Sequence, residues 1–385
     1  QQVDTSKEEP AGSAAQAEES TEKITADEVN SEPKAEFDIV KDGEEYHIGL
    51  ITGTVSQSED EIRGAEAAID KYGSSKDGGV IAHETYPDRF EAEIETTMSK
   101  IYAMADDTLM KEVIVNQSVP GTSAAFKEIR DKRPDIILVD VTPQEDVLMV
   151  SDTADLVVDV DNVSRGYRIV KAAKDMGATK FAHITFPRHM SIETLALRRA
   201  IMQEACKDLG LEFISLNAPD PTTDIGVPGA QQYVAENIQP WIDKYGKDTA
   251  FFCTNDAHTE PLLRGVAAIF VEPDLPSPIM GYPGAFSVNL EDIAGDWPKI
   301  LDRVEDSVVD AGGKGRMGTW AYSLGYTSTL GMVDFVDQVL HGKAELTDQD
   351  ALTKTLGTYT DGSSWMGSKM VDRASGKTLD NFTLI

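Results

Sequence analysis

Three observations in this 385-residue chain predict an α/β fold: two doubly wound parallel-sheet lobes joined by a hinge. Short apolar, β-branched runs alternate with helix-period segments from Tyr46 onward, the pattern of strands covered on both faces. About nine such strands exceed one comfortable sheet, and the rhythm restarts near Val160. The length also passes the roughly 250–300 residues at which a single core stops growing. The expected parts are an acidic tether over 1–45 and a first lobe over 46–160 that regains part of 284–320. A second lobe over 161–283 is expected to carry most of 321–385.

The elements follow in order. A strand over 46–51 runs into Thr52-Gly53-Thr54-Val55-Ser56-Gln57, and a helix places Ile62, Ala65, Ile69 and Tyr72 at helical spacing. Gly78-Gly79 breaks the chain before a strand at 80–82, and Ile94, Met98, Ile101 and Ala105 mark the next helix. The strand at 112–115 ends in Asn116-Gln117-Ser118; Pro120-Gly121-Thr122 opens a helix bearing Phe126 and Ile129. The strand at 136–141 ends in Thr142-Pro143. After a strand over 156–160, Asp161 to Ser164 caps a helix holding Ile169, Val170 and Ala173, which Gly177 closes. The strand at 181–186 ends in Pro187-Arg188-His189, and its helix stops at Gly210. The strand at 212–216 leads to a Pro-rich loop and a helix with Val234, Ile238 and Ile242. Ala250 to Cys253 reads as a buried strand ending in Thr254-Asn255-Asp256, followed by a helix with Leu262, Leu263, Val266 and Ile269 and then a strand at 279–282. Helices over 297–309 and around Leu324 to Leu340 are expected to cross back between the lobes. Such alternation implies right-handed crossovers with helices on both faces.

The formal charge is -32, and residues 1–46 hold fourteen acids against four bases, a net of -10. With no basic patch, a nucleic-acid partner is not expected. No run of about 18 apolar residues is present to span a bilayer. Residues 1–45 have too few large apolar side chains to bury a face, so disorder is expected, in the manner of a lipoprotein tether whose acylated cysteine lies upstream. Cys206 and Cys253 read as buried free thiols.

Ligands of open α/β sheets bind outside the carboxyl ends of the strands, so polar residues there are the site candidates. They are Thr52, Thr54 and Gln57 in the first loop, Asn116 and Gln117 after the third strand, and Thr142 after the fourth. In the second half they are Asp161, Phe186, Arg188, His189, Asn255 and Asp256, with Tyr282 and Trp320 as rings that could stack on a ligand. Asn255, Asp256 and Asp161 are equally good helix N-caps. Catalytic motifs are missing: Gly312-Gly313-Lys314-Gly315 lacks P-loop spacing, there is no G-x-S-x-G elbow, and the histidines fall on separate units. No catalytic residue, cofactor or metal is expected.

Several of these segments together resemble the type I periplasmic-binding-protein superfamily over roughly residues 46–340. They are Ile48-Gly49-Leu50-Ile51-Thr52-Gly53, Asp161-Asn162-Val163-Ser164-Arg165-Gly166, Cys253-Thr254-Asn255-Asp256 and Met280-Gly281-Tyr282-Pro283-Gly284. Pro283 stands where that superfamily commonly has a carboxylate. The resemblance implies a monomeric, extracytoplasmic, lipid-anchored receptor that closes over a small ligand and passes it to an ABC permease. Loops rich in amides and hydroxyls favour a nucleoside, a vitamin-like heterocycle or a sugar-like solute. A sensor that signals closure to a membrane partner is the alternative reading. An enzyme on a doubly wound fold ranks below it. The effector domain of a repressor is disfavoured because an acidic segment stands where a basic helix-turn-helix would precede the first lobe.

Overall fold

The computed structural model describes residues 23–265, 270–271 and 277–385. The first lobe is built on β1 (His47–Thr52), β2 (Ile81–Thr85), β3 (Met110–Asn116), β4 (Ile137–Val141) and β5 (Leu156–Asp159). The second uses β6 (Lys180–Thr185), β7 (Glu212–Asn217), β8 (Thr249–Cys253) and β9 (Phe270–Val271), and the tail adds β10 (Ser368–Val371) and β11 (Thr378–Leu384). One sheet has the order β10-β11-β5-β4-β3-β1-β2 and the other β7-β6-β8-β9. Every pairing among β1–β9 is parallel, as covered apolar strands require. In both sheets the strand order reverses beside the first strand, between β1 and β3 and between β6 and β8.

The helices are α1 (Val55–Tyr72), α2 (Ile94–Ala105), α3 (Thr122–Lys132), α4 (Val147–Thr153), α5 (Asn162–Asp175), α6 (Pro187–Ser191) and α7 (Glu193–Leu209). They continue as α8 (Gly226–Tyr245), α9 (Asp256–Gly265), α10 (Tyr282–Phe286), α11 (Trp297–Asp310), α12 (Leu324–Leu340) and α13 (Gln349–Thr358). Val266 and Ile269, expected to extend the helix after β8, lie outside the described residues. Cys206 and Cys253 are both buried.

Three sequence expectations change. Residues 23–45 are not a free tether: they form an extended strap on the first lobe, with Ala26, Val29 and Val40 buried. The backbone N–H groups of Lys34 and Ala35 donate to Asp155 at 2.6 and 2.8 Å, and Val40 N–H donates to the Leu340 carbonyl. Scattered small apolar residues cannot make an amphipathic face, but an extended chain can seat them one at a time. Residues 1–22 lie outside the described residues. The expected strand at 279–282 is a turn leading into α10. Gly281 there has φ +76, and a Cβ on it would meet Thr259 at 2.5 Å, so the backbone packs directly on α9.

The tail also lands elsewhere. Residues 321–385 pack on the first lobe, not the second: α12 lies along α1, and β11 pairs parallel with β5 through Phe382 and Val157. Glycine permits the helix contact. A Cβ on Gly64 would sit 2.8 Å from the Tyr326 carbonyl and 2.9 Å from Thr329 Cβ. Gly64→Ala therefore sets a helix-propensity gain of about 1 kcal/mol against an overpacking cost of about 1–3 kcal/mol. Because the obstacle is backbone, the clash should win, with a net loss of about 1 kcal/mol in denaturant melts. A stabilised variant would show that the two helices slide apart easily.

Candidate functional site between the lobes

Reversals of strand order leave a crevice where two crossover helices diverge. Here the two crevices face each other. From the first lobe Gln57 follows β1, Gln117 follows β3, and Thr142, Pro143 and Gln144 follow β4. From the second, His189 follows β6, and Thr254, Asn255 and Asp256 follow β8. Together with Phe90, Asp159, Asn162, Arg165 and Arg198 they line a narrow gap of about 80 Å³ that opens to solvent.

Backbone strain is concentrated at these strand ends. Gln117 has φ +59, Ser118 φ +25 and Thr142 φ +47. None is glycine and Thr142 is β-branched, so each costs on the order of 1–3 kcal/mol and persists only because the lobe holds it. The Thr142 N–H donates to the Val158 carbonyl at 2.7 Å, and Ser118 Oγ donates to buried Asp140 at 2.5 Å.

A chain of hydrogen bonds crosses the gap. Gln117 Nε2 donates to Glu61 Oε1 at 3.0 Å, and Gln144 Nε2 donates to Gln117 Oε1 at 3.1 Å. Arg188 Nη1 of the second lobe donates to Gln144 Oε1 at 2.8 Å. The same guanidinium makes a two-point pair with Asp220, at 2.7 and 3.2 Å, and lies over the Phe90 ring at 5.0 Å. Burial pushes the Asp220 carboxyl up, but the Arg188 bonds and charge prevail and hold it below the usual range. Arg89 and Asp224 pair at the same mouth.

On the second-lobe wall His189 is buried and its Nδ1 lies 3.0 Å from Thr254 Oγ1. Burial, then the charges of Arg188 and Arg198, keep this imidazole well below its ordinary pKa, so it is neutral at pH 7. Arg198 is 1% exposed; its Nη1 donates to Asn162 and its guanidinium stacks on Phe252 at 5.2 Å. The wall therefore mixes amides, hydroxyls, guanidinium groups and the carboxylates of Asp159 and Asp256 with apolar Phe90, Ile192 and Leu195. This is the mixture expected of a small-molecule pocket.

Of the sequence candidates, Gln57, Gln117, Thr142, His189, Asn255 and Asp256 line the gap. Asn255 also caps α9, accepting from Ala257 N–H at 2.9 Å. The others lie elsewhere. Thr52 is buried against His83, Thr54 bonds Asp88, and Asn116 is buried within the first lobe. Asp161 caps α5, accepting from Ser164 N–H at 3.1 Å. Phe186 is buried behind His189, at 4.1 Å between ring centroids. Arg188 bridges the lobes at the edge of the gap. Tyr282 is buried with its hydroxyl donating to the Gly318 carbonyl, and Trp320 packs near Arg165. The sequence reading missed Phe90, Gln144, Asp159, Asn162, Arg165, Thr194 and Arg198. Gln144, Asp159 and Asn162 carried the strand-end signal, at or just past β4 and β5; Arg198 sits mid-helix with no motif around it.

Among the described residues no group of three His, Cys, Asp or Glu could hold a metal ion, and no helix is long and apolar enough to cross a membrane. In sequence the chain is 39% identical over 215 residues to an uncharacterized protein of Treponema pallidum, covering 56% of this chain and 99% of that one. In structure it is similar to a Clostridium difficile protein described as a transcriptional regulator, with a TM-score of 0.67, 22% identity, and coverage of 89% of this chain and 97% of that one. A glucose-galactose binding protein from Geobacillus stearothermophilus matches at a TM-score of 0.49 and 15% identity, over 78% and 93% of the two chains. The fold is type I periplasmic-binding-protein-like: two α/β lobes with a cleft between them. A model of the family described as "Protein of unknown function (DUF3798)" matches residues 46–318, and the chain belongs to that family.

Proposed function

We propose that the protein is an extracytoplasmic receptor that closes its two lobes over a small polar or aromatic organic ligand and delivers it to an ABC importer. One observation carries this reading: the strand-order reversals of both sheets open onto a single gap with polar side chains from each lobe. A ligand seated there contacts both walls at once only when the lobes are together, which is the differential interaction that closure needs. Gln57, Gln144 and Asn255 supply amides that can donate and accept, and Phe90 supplies a ring. That suits a nucleoside, a vitamin-like heterocycle or a sugar-like solute. Attachment to the outer face of the cytoplasmic membrane through an upstream lipid belongs to the same reading.

Native mass spectrometry of freshly purified protein tests it, followed by calorimetry with the compound released. Asp256→Ala should weaken that binding by about 1–3 kcal/mol, the cost of leaving ligand donors unpaired. Unchanged affinity would leave Asp256 only its place at the start of α9.

A further inference from the structure

Glu61 lies behind the first-lobe wall, on α1, and is 3% exposed. It does not line the gap, yet the crossing chain of hydrogen bonds begins at its carboxyl. Its Oε2 accepts from Gly53 N–H at 3.2 Å and its Oε1 from Gln117 Nε2 at 3.0 Å. The second N–H of the Gln117 amide goes to Ser58 Oγ. Both donors of that amide are thus spent inside the first lobe, and only its oxygen is left to accept from Gln144. Gln144 is then oriented with its own oxygen toward the second lobe. Arg188 has donors only, so it needs that oxygen and is repelled by an amide turned the other way. Each amide has two orientations, and the group that selects between them is Glu61.

We propose that Glu61 is a positioning residue for lobe closure: through Gln117 and Gln144 it presents the acceptor that Arg188 requires across the gap. The inference rests on the closing-receptor reading above. The charged surroundings make it titratable. Glu59, Asp60 and Arg63 share α1; Asp256, Glu260 and Arg264 stand on α9, which packs against α1 across the lobe boundary. Tyr86 and Asp88 face it from the loop after β2, and Ser323, before α12, holds Asp60 at 2.9 Å. Glu61 and Asp256 act on the buried Tyr86 hydroxyl from opposite lobes. Burial, then the neighbouring Asp60, pushes the Glu61 carboxyl up to about 8. Its folded value thus lies above the ordinary 4.5, so the proton favours the folded first lobe. The groups that set this value, Asp60, Gln117, Gly53 and Ser58, all belong to the first lobe, so the contribution to folding of that lobe is complete below pH 4.5 and is lost as pH rises through 8.

The test measures the lobe-to-lobe distance by double electron–electron resonance, with nitroxides on Val55→Cys and Ile225→Cys. Both sites are exposed, Val55 at the start of α1 in the first lobe and Ile225 before α8 in the second, while the native cysteines are buried. With Glu61 intact, a short, narrow distance is expected. Glu61→Gln, which keeps one acceptor oxygen for the Gln117 amide, should stay short. Glu61→Leu and Arg188→Gln should be long. Glu61→Leu closed while Arg188→Gln is open would overturn the role of Glu61 and leave the receptor reading standing. One invariant distance in every variant would overturn closure itself, and the proposal with it. Should Glu61→Leu fail to fold, Gln117→Leu, which breaks the same chain one step further on, decides: a short, narrow distance there refutes the proposal.

Discussion

Arg188→Ala is expected to separate the lobes and to enlarge the radius of gyration in small-angle X-ray scattering. Three contacts disappear together: the two-point pair with Asp220, the bond to Gln144 and the stack on Phe90. Removing one partner of a fully buried pair costs about 3–5 kcal/mol, largely from the charge left behind. Arg188 and Asp220 side chains are 15% and 13% exposed, so water recovers part of that and about 2–3 kcal/mol is the expected loss. Arg188→Lys keeps the charge but not the planar fork, and should fall between the two. An unchanged radius and denaturation midpoint would reduce Arg188 to an ordinary surface cation.

Trp297→Ala should lower stability by about 3–5 kcal/mol, the usual cost of deleting a large aromatic from a core. Trp297 is 1% exposed at the start of α11, and its indole N–H donates to the Tyr359 carbonyl at 2.9 Å. Tyr322 and Tyr326 meet it edge-on with ring centroids 5.9 and 5.3 Å away. It therefore joins α11 to α12 and to the turn after α13, the segments that carry the tail back onto the first lobe. At roughly 2–4 °C per kcal/mol for a domain of this size, calorimetry should show that lobe melting about 10 °C earlier. The small second-lobe core around Phe181, Met202 and Phe252 should be spared. A loss under about 1 kcal/mol would mean that the aromatic cluster repacks without the indole.

Eight of the nine strands read from the sequence are strands, because a parallel sheet covered on both faces writes itself as short runs such as Ile137–Val141 and Thr249–Cys253. The ninth failed for a local reason. Ile279 and Met280 are apolar and buried, but Gly281 and Pro283 suit a turn and a helix start, and that signal outweighs two apolar residues. The tail failed for a long-range reason. Leu379, Asn381 and Thr383 alternate in burial with their neighbours only in part, and nothing local states that β11 will lie beside β5. At the site, residues just past a strand were legible, since the reversal rule names those loops. Arg198 and Arg165 reach the gap from helix interiors, and Phe90 from an irregular loop, where no spacing rule applies. Thr52 and Asn116 occupy strand ends but point into the lobe, a choice between two faces that the sequence leaves undecided.

The central claim concerns where a guest sits. A crystal structure of the protein with the compound that native mass spectrometry identifies tests it most directly. The account expects that compound between Gln117 of one lobe and Asp256 of the other, touching both walls. A compound held on one lobe alone, for instance in the groove beside β2 that His83 and Lys100 line, would contradict it.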